Sequence, residues 1–190
     1  MKAARDEWSD AVAGFRPDRL IFLDETWFTT HMTRLYGYAP CGQRLTAPVP
    51  HGHWKTTTFV GGLTADGFIA PMVLDGPMNA VTFTAYIEQV LAKEVRAGDL
   101  LILDNLSSHK TAGVRAALAA CGLNSLYLPP YSPDLNPIEN AFSKLKRLAR
   151  AAAERTIDGL WSGIGKLLDR FRPVECANYL RHCGYPATIT

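Results

Sequence analysis

Three carboxylates stand at positions where packing gives no obvious reason for a charge. Asp24 follows the apolar run RLIFL, and Asp104 follows a second such run, LLIL. Glu139 stands in PPYSPDLNPIEN, a proline-rich segment that opens a helix. Phosphoryl transfer by two divalent cations needs hard oxygen ligands on rigid supports. We therefore interpret Asp24, Asp104 and Glu139 as catalytic residues and metal ligands for chemistry on nucleic acid.

Each of these acids also has a structural explanation. An aspartate at a strand end is often a turn former. Glu139 stands three residues after Asn136, and an Asn N-cap followed by Glu at the third helical position is a capping arrangement. Glu25, directly after Asp24, is interpreted as a neighbour without a role in the site. The three acids together favour a metal site more strongly than each does alone.

Strand and helix patterns alternate along the chain and define the elements that must position the acids. The runs RLIFL and LLIL are apolar on both faces, which is typical of strands in the middle of a sheet. Asp66-Gly67 predicts a hairpin turn inside WKTTTFVGGLTADGFIAPMVLDG. The order strand, hairpin, helix, strand, helix, strand, helix, helix predicts an α/β fold. We expect a mixed five-stranded sheet with helices on both faces.

The two apolar strands are expected to be central neighbours in this sheet. Asp24 and Asp104 would then lie at the C-terminal ends of adjacent strands, the edge where open α/β sheets place their sites. A helical pattern over 81–95 and another over about 156–171 supply part of the covering layers.

Composition indicates a single soluble domain of 190 residues, with 47% apolar and 20% charged residues. No apolar run approaches the roughly 18 residues of a membrane span, and the start lacks a signal-peptide pattern, so we expect a cytoplasmic protein without membrane contact. The four cysteines form no C-x-x-C pair, which argues against a zinc ribbon or a disulfide framework. Residues 96–190 carry twelve Lys and Arg against eight Asp and Glu, which weakly favours a polyanionic partner.

Two groups of polar side chains are candidates for contact with DNA phosphates. One group follows Asp104 near the start of a helix, where backbone amides can also bind phosphate; it comprises Asn105, His109 and Lys110. The other is the basic face of the helix that carries Glu139; it comprises Lys144, Lys146, Arg147 and Arg150. A solvated helix start and a solvated helix face explain the same residues without DNA.

The sequence around the acids resembles the three signature blocks of DDE-superfamily transposases. LDET, LDNLSSHK and LPPYSPDLNPIEN carry the resemblance, which is greatest to the bacterial insertion-sequence branch related to the mariner elements. The 34 residues between Asp104 and Glu139 are the spacing of that branch, and GYAPCGQRL, HGHWKTTTFVGGL and APMVLDG extend the resemblance over nearly the whole chain. It implies a ribonuclease-H-like fold, two Mg²⁺ or Mn²⁺ ions, cleavage of DNA at transposon ends and strand transfer into target DNA. It matches Asp24, Asp104 and Glu139 to the catalytic acids.

The resemblance also implies how the chain is organised and what it binds. Such transposases begin with helix-turn-helix domains, and none fits in the residues before Arg19. We therefore predict a lead-in at 1–18, a catalytic domain at 19–172 and a helical tail at 173–190. The expected partners are DNA, a second copy in an active homodimer and a separately encoded helix-turn-helix portion, on the nucleoid of a bacterial cytoplasm. Two alternatives remain, a metal-dependent nuclease without transposition and a catalytically silent remnant that binds DNA.

Overall fold

The computed structural model describes residues 2–186 and contains a mixed five-stranded sheet. Its strands are β1 (Leu20–Thr29), β2 (Thr56–Leu63), β3 (Phe68–Asp75), β4 (Leu100–Leu103) and β5 (Asn124–Tyr127). They lie in the order β3-β2-β1-β4-β5, where β1, β2 and β3 pair antiparallel while β1, β4 and β5 pair parallel. The predicted hairpin is therefore β2 and β3, and the predicted sheet is confirmed.

The two apolar strands are central neighbours because each of them buries both of its faces. In β1, Leu20 and Phe22 belong to one hydrophobic core, while Ile21 and Leu23 belong to the other. The four side chains of β4 divide between the two cores in the same alternating way. A strand that is apolar on both faces needs a covering layer on each side, and helices supply both layers.

Six helices cover the sheet: α1 (Lys2–Ala13), α2 (Ala80–Gln89), α3 (Ala112–Ala120), α4 (Pro137–Ala152), α5 (Ile157–Leu168) and α6 (Pro173–His182). Helices α2 and α3 pack on one face, and the other four pack on the opposite face. Helix α2 is shorter than the predicted 81–95, and a 3₁₀ turn at Leu91–Lys93 follows it. Beyond that turn, Glu94 accepts a hydrogen bond of 2.8 Å from the backbone N–H of Ala70 in β3, which ties this end of the segment to the sheet.

Strand β1 is longer than predicted, so Asp24 lies in its middle and not at its C-terminal end. Residues 24–29 continue to pair with β2, with Asp24 opposite Gly61. Strand β4, however, stops at Leu103, which pairs with Leu23. The prediction that Asp24 terminates its strand is wrong, because pairing with β2 extends the strand beyond its apolar run. Asp24 is nevertheless the first residue of β1 beyond the parallel ladder.

The predicted lead-in and tail both contribute to the core beneath α4. Trp8 of α1 is buried, and its indole N–H donates a 3.2 Å hydrogen bond to the hydroxyl of Tyr185, beyond α6. Residues 187–190 of the predicted tail lie outside the described residues. All four cysteines are free thiols. Between Lys2 and Pro186, no helix has both the length and the apolar character needed to cross a membrane.

Candidate active site

The three predicted acids line one cleft of about 550 Å³ at the edge of the sheet. Asp24 comes from β1, Asp104 directly follows β4, and Glu139 stands in the first turn of α4. The remainder of the wall is formed mainly by the segment between β5 and α4, which contributes Leu128, Pro129, Pro130, Tyr131, Ser132, Pro133 and Asn136. The fold therefore brings together three carboxylates that are far apart in sequence.

Asp24 is the most buried of the three acids, with 9% of its surface exposed. Its Oδ1 accepts a 2.7 Å hydrogen bond from the backbone N–H of Glu25, and its Oδ2 accepts one of 2.9 Å from the side-chain amide of Asn136. Burial, followed by the charges of Asp104 and Glu139, raises the pKa of Asp24 to about 7, although the hydrogen bond from Glu25 acts in the opposite direction. A positive charge in the cleft would relieve this electrostatic cost.

Asn136 does not cap α4 in the predicted manner. It occupies the N-cap position, but its side chain makes no capping hydrogen bond and donates to Asp24 instead. Its backbone N–H donates to the carbonyl of Pro133, so it is not paired with the side chain of Glu139. The capping explanation for Glu139 is therefore wrong. Asn136 is a site residue that the sequence analysis missed, because its position is also that of an ordinary helix N-cap.

Asp104 is held through one oxygen only. Its Oδ1 accepts a 3.2 Å hydrogen bond from the backbone N–H of Leu106 and one of 2.7 Å from Nδ1 of His109. Within residues 2–186, no hydrogen bond reaches Oδ2. The side chain of Asp104 is 28% exposed, so this carboxylate is accessible from the cleft.

His109 lies beneath Asp104 and not on the surface. Its side chain is 0% exposed, and its ring stacks on Phe83 with centroids 4.2 Å apart. Nδ1 faces Asp104, and Nε2 lies 3.1 Å from Oε1 of Glu25. Burial lowers the pKa of His109, but the hydrogen bonds to Asp104 and Glu25 outweigh it and raise the pKa to about 9.

The burial of His109 changes two sequence interpretations. The predicted phosphate contact is wrong, because the imidazole has no exposed surface for DNA. Glu25, which was given no role, is the partner of a buried imidazole that also holds Asp104. No local sequence signal pairs Glu25 with His109, because 84 positions separate them.

Asn105 and Lys110 lie at the rim of the cleft. Asn105 is exposed and lines the cleft, and its Oδ1 accepts a hydrogen bond from the ammonium group of Lys110. The same ammonium group lies 5.1 Å from the ring centroid of Tyr127. These two residues therefore remain accessible to a phosphate.

Lys144 belongs to a structural contact within the helical layer. Its ammonium group donates a hydrogen bond of 2.8 Å to the carbonyl of Arg170 and one of 2.5 Å to Oε2 of Glu175. It also lies over the ring of Phe171. These bonds join α4 to the connection between α5 and α6 and to the first turn of α6. The structure therefore supports a structural role for Lys144 in place of the predicted DNA contact.

Lys146 and Arg147 remain available on α4. The ammonium group of Lys146 lies 5.1 Å from the ring centroid of Trp27, a residue of β1 that is 56% exposed. Burial lowers the pKa of Lys146, and the charge of Glu139 two helical turns earlier opposes this. Arg147 is exposed and lines a separate cleft with Arg34.

The cleft offers the kind of donors that a divalent cation requires. Among residues 2–186, no three His, Cys, Asp or Glu side chains are grouped closely enough to hold one metal ion between them. Mg²⁺, however, is usually bound by one or two carboxylates, with waters and substrate phosphates as its other ligands. Asp24 and Asp104 on adjacent strands, with Glu139 across the cleft, fit this pattern of sparse oxygen ligation.

Solved structures with the same fold are transposases and a retroviral integration complex. The Mos1 strand transfer complex is similar with a TM-score of 0.67 and 21% identity, over 96% of this chain and 55% of that chain. The Mos1 transposase catalytic domain with raltegravir and Mg matches with a TM-score of 0.67 and 17% identity, over 96% of this chain and 85% of that one. The simian T-cell lymphotropic virus intasome matches with a TM-score of 0.54 and 11% identity, over 80% and 48%.

These structural similarities establish the fold, and a separate match establishes the family to which the chain belongs. The chain spans little more than half of the Mos1 chains in the strand-transfer and Mn-containing paired-end complexes, 55% and 56%. No curated protein sequence matches it. Residues 19–160, which include all three acids, match the family described as DDE superfamily endonuclease. The chain therefore has a ribonuclease-H-like fold and belongs to the DDE superfamily of endonucleases.

Proposed function

We propose that this chain is the catalytic domain of a metal-dependent transposase, which cleaves DNA at transposon ends and joins those ends to target DNA. The convergence of Asp24, Asp104 and Glu139 on one cleft, inside the region that matches the DDE endonuclease family, is the observation that carries this proposal. The structures it resembles are described as a strand transfer complex and paired-end complexes of a mariner transposase. Membership of the bacterial insertion-sequence branch is part of the proposal.

The three acids have distinct proposed roles because they are held differently. Asp24 and Asp104 bind Mg²⁺ or Mn²⁺, and Glu139 completes the site or positions the attacking hydroxyl or water. Two bound ions would supply activation of the nucleophile and neutralisation of the leaving oxygen. Asn136 orients Asp24 through its 2.9 Å hydrogen bond and excludes water from that side of the carboxylate.

DNA would approach the cleft from its exposed rim. Asn105 and Lys110 on one side, and Lys146 and Arg147 on α4, supply donors and positive charge for the phosphate backbone. Trp27, exposed beside Lys146, offers a face on which an unpaired base could stack. Recognition of specific end sequences, pairing of two ends by a homodimer and a separately encoded helix-turn-helix portion remain further parts of the proposal.

The decisive experiment measures nicking and strand joining on DNA that carries the ends of the element. Asp104→Asn keeps the shape of the side chain and removes its charge, so Mg²⁺- or Mn²⁺-dependent cleavage should fall by at least about a thousandfold, a loss of about 4 kcal/mol in transition-state stabilisation. Asp75→Asn is the matched control, because Asp75 is an exposed aspartate at the end of β3. Cleavage by Asp104→Asn at the wild-type rate would refute the assignment. Equal cleavage of unrelated DNA, without joining, would instead favour a simple nuclease.

A further inference from the structure

A buried imidazole connects the two strands that carry the catalytic aspartates. Nδ1 of His109 lies 2.7 Å from Oδ1 of Asp104, and Nε2 lies 3.1 Å from Oε1 of Glu25, the residue after Asp24 on β1. We propose that Glu25 and His109 form a positioning pair that fixes the Asp104 carboxylate for divalent-cation binding. This inference rests on the proposed function, and it assigns roles to two residues that do not reach the substrate.

Asp104 needs such support because no strand pairing fixes it. Strand β4 ends at Leu103, and the segment after Asp104 is irregular until the 3₁₀ turn at Ser107–Lys110. The bond from the backbone N–H of Leu106 is 3.2 Å long, whereas the bond from His109 is 2.7 Å. Because both bonds go to Oδ1, the orientation of the carboxylate is defined while Oδ2 is left without a bond from residues 2–186.

His109 is itself held rigidly enough to position another group. Its ring is stacked on Phe83, and its backbone carbonyl accepts a 2.9 Å hydrogen bond from the hydroxyl of Tyr127 on β5. Glu25, with 15% of its side chain exposed, anchors the far ring nitrogen from β1. The chain Glu25–His109–Asp104 therefore fixes the acid after β4 relative to the strand that carries Asp24. Outer partners of this kind orient ligands, and their loss typically costs about 10–100-fold in metal affinity.

A merely structural role makes a different prediction from a positioning role. If His109 only fills space between α2 and β4, its replacement would lower stability but leave the cation affinity of the folded protein unchanged. If it positions Asp104, the nitrogen that faces Asp104 should matter more than the one that faces Glu25. Substitution of His109 by either of two amide residues distinguishes the roles of these two nitrogens. The Asn amide reaches the place of Nδ1, and the longer Gln amide reaches the place of Nε2.

The test measures Mn²⁺ binding by electron paramagnetic resonance, with no turnover required. We expect His109→Gln to weaken Mn²⁺ binding by about tenfold or more, and His109→Asn to weaken it by less than about threefold. Asp75→Asn is the control, because it removes an exposed carboxylate at the end of β3 without touching His109 or its partners, and it should bind Mn²⁺ like the wild type. Equal affinities of the Gln, Asn and wild-type proteins would overturn the proposal, as would an equal loss in Asp75→Asn.

Glu25 provides a second test that does not disturb a fully buried ring. Glu25→Ala removes the same contact that His109→Asn loses, so it should weaken Mn²⁺ binding by a similar amount, about two- to threefold. Combining it with His109→Gln should add little, because both act through Asp104. Additive losses in the double variant would refute the positioning pair. Wild-type affinity in Glu25→Ala would refute it as well, and this can be measured even if His109→Gln does not fold. Asp104→Asn is measured alongside. If it retains full Mn²⁺ binding, the proposed metal ligand itself fails, and that outcome is distinct from a failure of the pair alone.

Discussion

Replacing Asp24 by Asn should stabilise the metal-free protein at pH 8. The raised pKa of Asp24, from 3.8 to about 7, means that the folded protein prefers the neutral acid. The contribution of this group to stability is therefore fully present below about pH 4 and is lost as the pH rises towards 7. At about 1.36 kcal/mol for each unit of pKa, the upper limit of this loss is about 4 kcal/mol.

Asparagine fits the place of the buried acid without its charge. Its side-chain oxygen can accept the hydrogen bond from the backbone N–H of Glu25, and the amide of Asn136 can rotate to accept from its nitrogen. Allowing for partial relaxation around the charged form, we expect Asp24→Asn to raise the free energy of unfolding by about 2–4 kcal/mol at pH 8. Near pH 4 the two proteins should differ little.

The assay is urea unfolding with a chelator present, at pH 4 and at pH 8. Measurements stop at pH 8 because the pKa of His109 is about 9, and its own contribution, fully present below pH 6.5, is lost as the pH passes that value. Asp75→Asn is the control for removing an exposed carboxylate from a strand end. It should change the free energy of unfolding by less than about 0.5 kcal/mol.

Divalent cation should remove most of this difference in stability between the two proteins. A ligand at one hundred times its Kd stabilises the folded state by about 2.7 kcal/mol, so the wild type should gain about that amount from saturating Mn²⁺. Asp24→Asn lacks one proposed ligand and should gain much less. If Asp24→Asn is instead less stable than the wild type at pH 8 without metal, then the Asp24 charge is already compensated within the fold, and the electrostatic argument for a cation in this cleft is wrong.

Three further substitutions test how the site is supported. Asn136→Ala removes the donor to a buried oxygen of Asp24 and should cost about 1–3 kcal/mol in urea unfolding at pH 8; an unchanged stability would show that water replaces the amide. Lys144→Ala breaks the contact with Glu175 and should lower the melting temperature, while DNA affinity measured by fluorescence anisotropy stays at the wild-type value. Lys146→Ala should do the opposite, weakening DNA binding and reducing the salt slope by about one, and an unchanged slope would remove this residue from the DNA interface.

The sheet was predictable because its strands carry their own signals. Runs that are apolar on both faces identified β1 and β4 as central strands, and the hairpin turn identified β2 and β3. Their connections then left few topologies to consider. The length of β1 was not predictable from its apolar run, because residues 24–29 are held by pairing with β2, a partner that begins 27 positions after Thr29.

The side chains that support the acids could not be identified from sequence patterns, for a related reason. The hydrogen bond between Asn136 and Asp24 spans 112 positions, and the contact between His109 and Glu25 spans 84. Helical periodicity and cap patterns describe neighbours within a few residues, so each of these side chains received a local interpretation that the tertiary structure overrides. Lys144 shows the same effect, since its partners in and beside α6 lie 26 and 31 positions away.

The different environments of the two aspartates favour a cation at this cleft more strongly than their proximity does. Asp24 is buried, with a protein donor on each oxygen, and its raised pKa shows that these donors do not offset the cost of its charge. Asp104 is partly exposed, and among residues 2–186 its only charged donor is His109, which is shared with Glu25. One imidazolium therefore serves two carboxylates, while Asp24 and Glu139 add negative charge that no described salt bridge neutralises. A fold that needed these acids only as turn formers or helix caps would have no reason to gather three carboxylates at one cleft with a single imidazolium beside them. A fold that binds a divalent cation requires this excess of negative charge.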